Sequence, residues 1–254
     1  MSIQIVRKEN QAQGAFNGGE IIENKPIGFN REGGELKPFS NLFYWAYAEA
    51  NVDSTIGLHP HQGFEIMSFV LKGEIRHYDT AGKKWIPLHK GDVQIIRAGS
   101  GISHAEFMAK GAAMFQIWFD PGLEKTLRHT ASYDDYKEDA FAAVDDGQME
   151  VRTLIGEGSP IQMESPEVEI RRFKVKPGKH ELELTAGKIH TFYLINGVLS
   201  TNNDDVNQDD AIKINGESSF EFECENEIDL FQLTTPEELS YSTYAKMMES
   251  KMSQ

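Results

Sequence analysis

A chain of 254 residues, 39% hydrophobic and 26% charged, is ordinary globular material, long enough for two domains of about 100 to 125 residues that each bury a core. Its net charge of −15 argues against direct binding to a phosphate backbone, because that affinity comes mainly from lysine and arginine displacing counterions. The single cysteine, Cys224, excludes an internal disulfide, and no run of about 18 apolar residues offers a membrane span.

The N-terminus, Met1-Ser-Ile-Gln-Ile-Val-Arg-Lys, lacks the charged-then-apolar pattern of a secretory signal, which together with the lone cysteine favours a reducing cytoplasm. From about Leu42 to Phe119 short apolar stretches alternate with turn signals, the pattern of an all-β sandwich or barrel. His59-Pro60-His61 comes first; Pro60 biases His59 to an extended backbone and is tolerated at a strand's start or edge. Phe64 to Leu71 reads as a strand, Lys72-Gly73 as a turn, and Glu74 to Tyr78 as its hairpin partner. A second hairpin turn is expected at Asp79-Thr-Ala-Gly82, and Lys90-Gly91-Asp92 introduces the strand Val93 to Ile96. His104-Ala105-Glu106 follows, and Ala112 to Phe119 closes the series.

After Asp120-Pro121-Gly122 the composition turns polar as far as Gln148, which predicts a linker with one short helix around Tyr136 to Val144. The acidic runs Asp134 to Asp139, Asp145-Asp146 and Glu221 to Glu227 read as solvated surface, or as a face for a basic protein partner. Strands then resume as an internal repeat. Phe192 to Leu199 echoes Ser68 to Ile75 around Gly197 and Gly73, and Asp210 to Ile214 echoes Asp92 to Ile96. Counting from those landmarks places Glu183 and Thr185 where the first copy has His59 and His61, and Phe222 and Cys224 where it has His104 and Glu106. The second copy is therefore expected to hold no metal. Pro236 to Gln254 reads as a short helix and a frayed tail. The expected division is 1–122, a linker 123–149, and 150–254.

Within a strand, residues i and i+2 share a face, so each of the two short segments offers a pair of ligands. Side by side in one sheet, they bring His59, His61, His104 and Glu106 to one ion, leaving positions open for water or substrate. Burying these four groups without an ion is costly. Such a set suits iron(II), with manganese, nickel, copper or zinc as alternatives. Met67, Phe69, Ile102 and Met108 on the same face are either pocket lining or barrel core. His77, His89, His129, His180 and His190 read as surface or loop residues.

Gly57-Leu-His-Pro-His-Gln-Gly-Phe-Glu65, followed by Gly73 and by Gly91-Asp-Val-Gln-Ile-Ile-Arg-Ala-Gly-Ser-Gly-Ile-Ser-His-Ala-Glu106, resembles the two cupin motifs in their pirin form. Gln62 stands where that pattern has arginine and Ala105 where it has serine, neither at a ligand position. The resemblance implies two tandem cupin barrels of the double-stranded β-helix, or jelly-roll, type packed together, the first holding one iron on His59, His61, His104 and Glu106 and the second holding none. In many other cupins the glutamate at Glu65 is itself a ligand; here it is placed around the ligands, with a direct ligand role left open. The implied activity is oxidative ring opening of a flavonol such as quercetin by dioxygen, with Glu106 or Glu65 accepting the substrate's proton. Two further readings stay open: an iron- or redox-responsive regulator that docks on a transcription or metabolic-enzyme partner, and a degenerate cupin that stores metal. A monomer with no membrane association is expected.

Overall fold

The structure, a computed structural model, describes residues 2–202 and 204–252. In chain order its strands are β1 (Ser2–Val6), β2 (Ala12–Phe16), β3 (Ile21–Ile27), β4 (Leu42–Ala50), β5 (Ser54–His61) and β6 (Glu65–Lys72). There follow β7 (Glu74–Asp79), β8 (Trp85–His89), β9 (Val93–Arg97), β10 (Ile102–Met108) and β11 (Ala113–Phe119). Helix α1 (Leu123–Thr126) leads to β12 (Ser132–Tyr136), β13 (Ala143–Asp145), β14 (Met149–Ile155) and β15 (Glu169–Val175). The chain ends with β16 (Gly178–Glu183), β17 (Lys188–Asn196), β18 (Val198–Thr201), β19 (Asp204–Asn207), β20 (Ala211–Asn215), β21 (Ser219–Cys224), β22 (Ile228–Pro236) and helix α2 (Tyr244–Met252).

The strands form two units, each a jelly roll of one seven-stranded and one four-stranded sheet. In the leading unit the orders are β12-β9-β6-β11-β4-β3-β2 and β5-β10-β7-β8. In the trailing unit they are β1-β20-β17-β22-β15-β14-β13 and β16-β21-β18-β19. Adding eleven to each label of the first set gives the second, except that β1 takes the outer place corresponding to β12. The all-β repeat expected from the sequence is therefore present strand for strand.

The division along the chain differs from the expected ranges. The leading unit comprises Gln11–Glu138, Met163–Ser165 and Ser240–Gln254; the trailing unit comprises Met1–Asn10, Asp139–Gln162 and Pro166–Leu239. Backbone pairing over long sequence distance decides this, and composition carries no trace of it. Ser2 to Val6 pair with Asn215 to Ala211, and Ser132 to Tyr136 pair with Arg97 to Val93. The expected linker is thus mostly structured, and the end of β12, a single 3-10 turn and the start of β13 occupy the place of its predicted helix. At the other end, Tyr241 donates to the carbonyl of Asp120 at 2.5 Å and the Tyr244 amide donates to its carboxylate at 2.6 Å. The predicted terminal helix begins only at Tyr244, and the last two residues of the predicted tail lie outside the described residues.

Lys72-Gly73 also proves not to be a hairpin turn. β6 pairs with β9 and β11, whereas β7 pairs with β8 and β10, so Gly73 carries the chain from one sheet to the other. Its φ of +73° favours glycine, and a Cβ there would lie 3.0 Å from the Ala112 backbone. The turn between β7 and β8 is the expected hairpin.

Strand β6 is buried on both faces except at Lys72, because it is central in its sheet. One part of the leading barrel's interior is apolar, with Val70, Ile75, Leu88, Met108 and Met114. Another part is polar yet fully enclosed: Ser68, Gln94, His104 and Glu106 have no exposed surface. The trailing barrel has Phe192, Phe220, Phe222 and Leu230 in its core.

Candidate metal centre

Strands β5 and β10 lie side by side, with β5 at the sheet's edge, where the missing N–H of Pro60 is tolerated. His104 is the direct cross-strand partner of His59, and Ile102 that of His61. One extra residue on β5 then shifts the register, so that Glu106 faces Ile56. Such a bulge re-aims side chains beside a functional site. Against β7 the ladder stays regular, pairing His104 with Asp79 and Glu106 with His77.

The three imidazoles converge. One nitrogen from each of His59, His61 and His104 lies within 4.8 Å of the others, the only such group of potential metal ligands among the described residues. Their ring centroids are 4.4 to 4.8 Å apart. His59 Nδ1 lies 2.8 Å from the carbonyl of Gly57, a contact that requires it to donate and so leaves the Nε2 lone pair for a metal. His61 Nε2 and both ring nitrogens of His104 are buried without a hydrogen-bond partner. Unpaired polar atoms at this depth are expensive, and a metal ion would satisfy His61 Nε2 and one of the two nitrogens of His104. Burial, then the neighbouring His104 and His59, pushes the His61 imidazole down to about 3, and burial, then His59 and His77, pushes that of His104 down to about 2. Both rings are therefore neutral at ordinary pH, the form that binds metals.

Glu106 sits in a cradle of amides. Oε1 accepts from Ser68 Oγ at 3.2 Å and Gln94 Nε2 at 3.1 Å, and Oε2 accepts from Gln116 Nε2 at 2.6 Å. An ionised carboxylate has about four acceptor sites, so one remains on Oε2. Gln94 is held in turn by the Tyr133 hydroxyl at 3.3 Å.

Glu65 lies in the other sheet of the leading unit, on β6. A regular strand running on from His61 would have put it on the histidines' face, but β5 ends at His61 and Gly63, with φ +76°, turns the chain into a different sheet. Its carboxylate accepts the amides of Glu164 and Ser165 at 2.7 and 2.8 Å and the Ser165 hydroxyl at 2.5 Å. It anchors a loop and does not line the cavity beside the histidines.

Of the five histidines read as surface or loop residues, His89 and His129 are so placed, and the other three are buried. His77 is fully buried, donates from Nε2 to Asp79 at 2.9 Å, and stacks on Tyr133 at 4.2 Å. His180 and His190 are buried too. In the trailing unit Phe222 faces His180 across β16 and β21, not Glu183, which faces Ser219. The gapless count missed this by three residues. The His180 and Phe222 rings are 5.4 Å apart, an arrangement like that of His59 and His104 with phenylalanine in place of the second imidazole.

A cavity of about 360 Å³ opens beside His59, His61 and Glu106. Its walls include Phe16, Phe29, Tyr44, Ile56 and Trp118, and its lining extends to Glu23, Lys25 and Glu32. Met67 and Phe69 are core residues, Met108 belongs to the apolar cluster, and Ile102 lines a separate cleft. Most of the lining comes from residues 14–44, a stretch largely ahead of the region with legible strand patterning. Trp118 meets the His61 ring edge-on at 4.7 Å. Among the described residues no helix is long and apolar enough to cross a membrane.

A sequence model of the family described as Pirin matches residues 23–119. A Zymomonas mobilis protein provisionally named a quercetin 2,3-dioxygenase is 39% identical over 71 residues, 27% of this chain and 30% of that protein. The matched stretch spans about a third of the length of the first curated relatives. A Pseudomonas aeruginosa protein with the same provisional name is 28% identical over 225 residues, 81% of this chain and 77% of that protein. The fold is similar to that of a solved bacterial pirin of Escherichia coli in complex with nickel(II), with a TM-score of 0.73 and 19% identity over 92% of this chain and 99% of that one.

Proposed function

We propose that this chain, whose residues 23–119 are a pirin domain, binds one divalent metal, iron(II), on His59, His61, His104 and Glu106 and acts as a dioxygenase on a flavonol such as quercetin. One observation carries the reading. Three imidazoles converge, those of His61 and His104 with buried, unpartnered nitrogens, and His59 and His61 face a cavity walled largely by aromatic rings. The names of the relatives support the substrate class.

The ion would supply Lewis acidity toward a chelating hydroxyl, and redox chemistry with dioxygen. The remaining tasks fall to the chain. The Gly57 carbonyl fixes the His59 tautomer, and Gln94, Gln116 and Ser68 hold Glu106 in one orientation. The acceptor site left on Oε2 would make Glu106 the fourth ligand and, when that site is free, the acceptor of the substrate's hydroxyl proton. The Phe29, Tyr44 and Trp118 rings, 4.8 to 5.6 Å apart, form a platform for a flat ligand.

The test is iron reconstitution under argon, then addition of air and a flavonol, following loss of the flavonol absorbance and release of carbon monoxide. Turnover by the intact protein and none by His104→Ala is expected. Equal behaviour of the two would overturn the dioxygenase and leave the metal-responsive regulator as the better account.

A further inference from the structure

The cavity that touches the histidines has a second polar region. Glu23 and Lys25 lie on β3, Tyr44 on β4 and Glu32 in the intervening loop. Lys25 Nζ is 2.7 Å from Glu32 and 3.3 Å from Glu23, and the Tyr44 hydroxyl donates to Glu23 at 2.8 Å. The side chains of Lys25 and Glu23 are only 6% and 5% exposed. Buried ion pairs are commonly no more stabilising than apolar residues of the same volume, so one kept on a cavity wall calls for another explanation. We propose that Glu23, held by Tyr44 and Lys25, is a recognition site that accepts a hydroxyl from an outer ring of an uncharged polyphenol whose chelating edge faces the histidines.

Charge selects the ligand class. Two carboxylates, Glu23 and Glu32, surround a single ammonium, so the region repels carboxylates and phosphates and accepts hydroxyl donors. Burial lifts the Glu23 carboxyl above the usual range although Lys25 and Tyr44 pull it down, which favours a short, strong bond from a weakly acidic phenol. The Lys25 ammonium stands 5.5 Å from the centre of the Tyr44 ring, which further fixes the group. Space for it comes from Gly14, which also lines the cavity. A Cβ at Gly14 would fall 2.5 Å from Glu23 Oε2 and 2.7 Å from Lys25 Cε. A cavity of about 360 Å³ falls within the roughly 300 to 1,000 Å³ of small-molecule sites.

This inference rests on the flavonol reading, and the experiment separates the two. The full chain, loaded with iron(II) under argon so that no turnover occurs, is titrated with kaempferol and with 3-hydroxyflavone. The two share the chelating hydroxyl and carbonyl, but only kaempferol has hydroxyls on its outer rings. The intact protein is expected to bind kaempferol about tenfold more tightly, the size of one hydrogen bond to a charged group. Glu23→Gln and Gly14→Ala should each reduce that preference to less than about threefold by weakening kaempferol alone, with iron content unchanged. A preference that survives in whichever variant still binds iron overturns the Glu23 site and leaves the metal reading intact. If neither flavonol binds the iron-loaded intact protein, both fall.

Discussion

His59 and His104 stand directly opposite one another across β5 and β10, with ring centroids 4.4 Å apart, and the corresponding ladder of the trailing unit pairs His180 with Phe222. The trailing pair has phenylalanine in the place that His104 holds in the leading pair. His104→Phe should therefore abolish metal binding while leaving the metal-free protein at least as stable as the parent. It removes two buried, unpaired nitrogens, each worth about 1–3 kcal/mol when unsatisfied, against an overpacking cost of about 1–3 kcal/mol. Thermal melts of metal-free samples with and without added metal check this. A large drop in the metal-free melting temperature would contradict it.

The amide cradle of Glu106 makes a separate prediction. Gln116→Leu removes the 2.6 Å bond to Oε2 and leaves the four proposed ligands in place. Losing a group that orients a ligand typically weakens metal binding about 10- to 100-fold. Competition against a chelator measures the change, and Trp118 beside His61 offers a fluorescence signal for the occupied site.

Glu65 has the opposite profile. Glu65→Ala leaves two backbone amides and the Ser165 hydroxyl without their acceptor, and should destabilise the fold by about 2–4 kcal/mol. Metal content should not change. Denaturant unfolding and elemental analysis of the same variant distinguish this anchoring role from that of a metal ligand.

Acid stability of the metal-free protein follows from His61 and His104. Unfolded, these histidines take up protons near their ordinary value of 6.5; folded, burial keeps them neutral down to about 3 and about 2. Between those limits the unfolded state binds more protons, so the stability they contribute is complete above about 6.5 and is lost as pH falls from there toward 3. A His61→Phe, His104→Phe double variant should show a shallower fall in melting temperature from pH 7 to pH 4 than the parent. Parallel curves would contradict the assignment.

The histidine pairs were legible because a strand repeats every two residues, and His59, Pro60, His61 and His104 carry that period openly. The repeat of the barrel was equally visible through Gly73 and Gly197. Two kinds of feature were hidden. The pairing of β1 with β20 depends on backbone bonds between residues more than 200 positions apart, which no local pattern encodes. The place of Glu65 depends on Gly63 breaking the strand, so an alternation rule carried across that glycine assigns the wrong face. His77 escaped for a related reason: the partner that makes its burial tolerable, Asp79, is two residues on and reads as part of a turn.

Elemental analysis of tag-free protein incubated with ferrous iron under argon and then desalted tests the central claim most directly. The account predicts about one iron per chain in the parent and essentially none in His104→Ala. A parent protein that emerges free of metal, or a variant that retains as much as the parent, would contradict it.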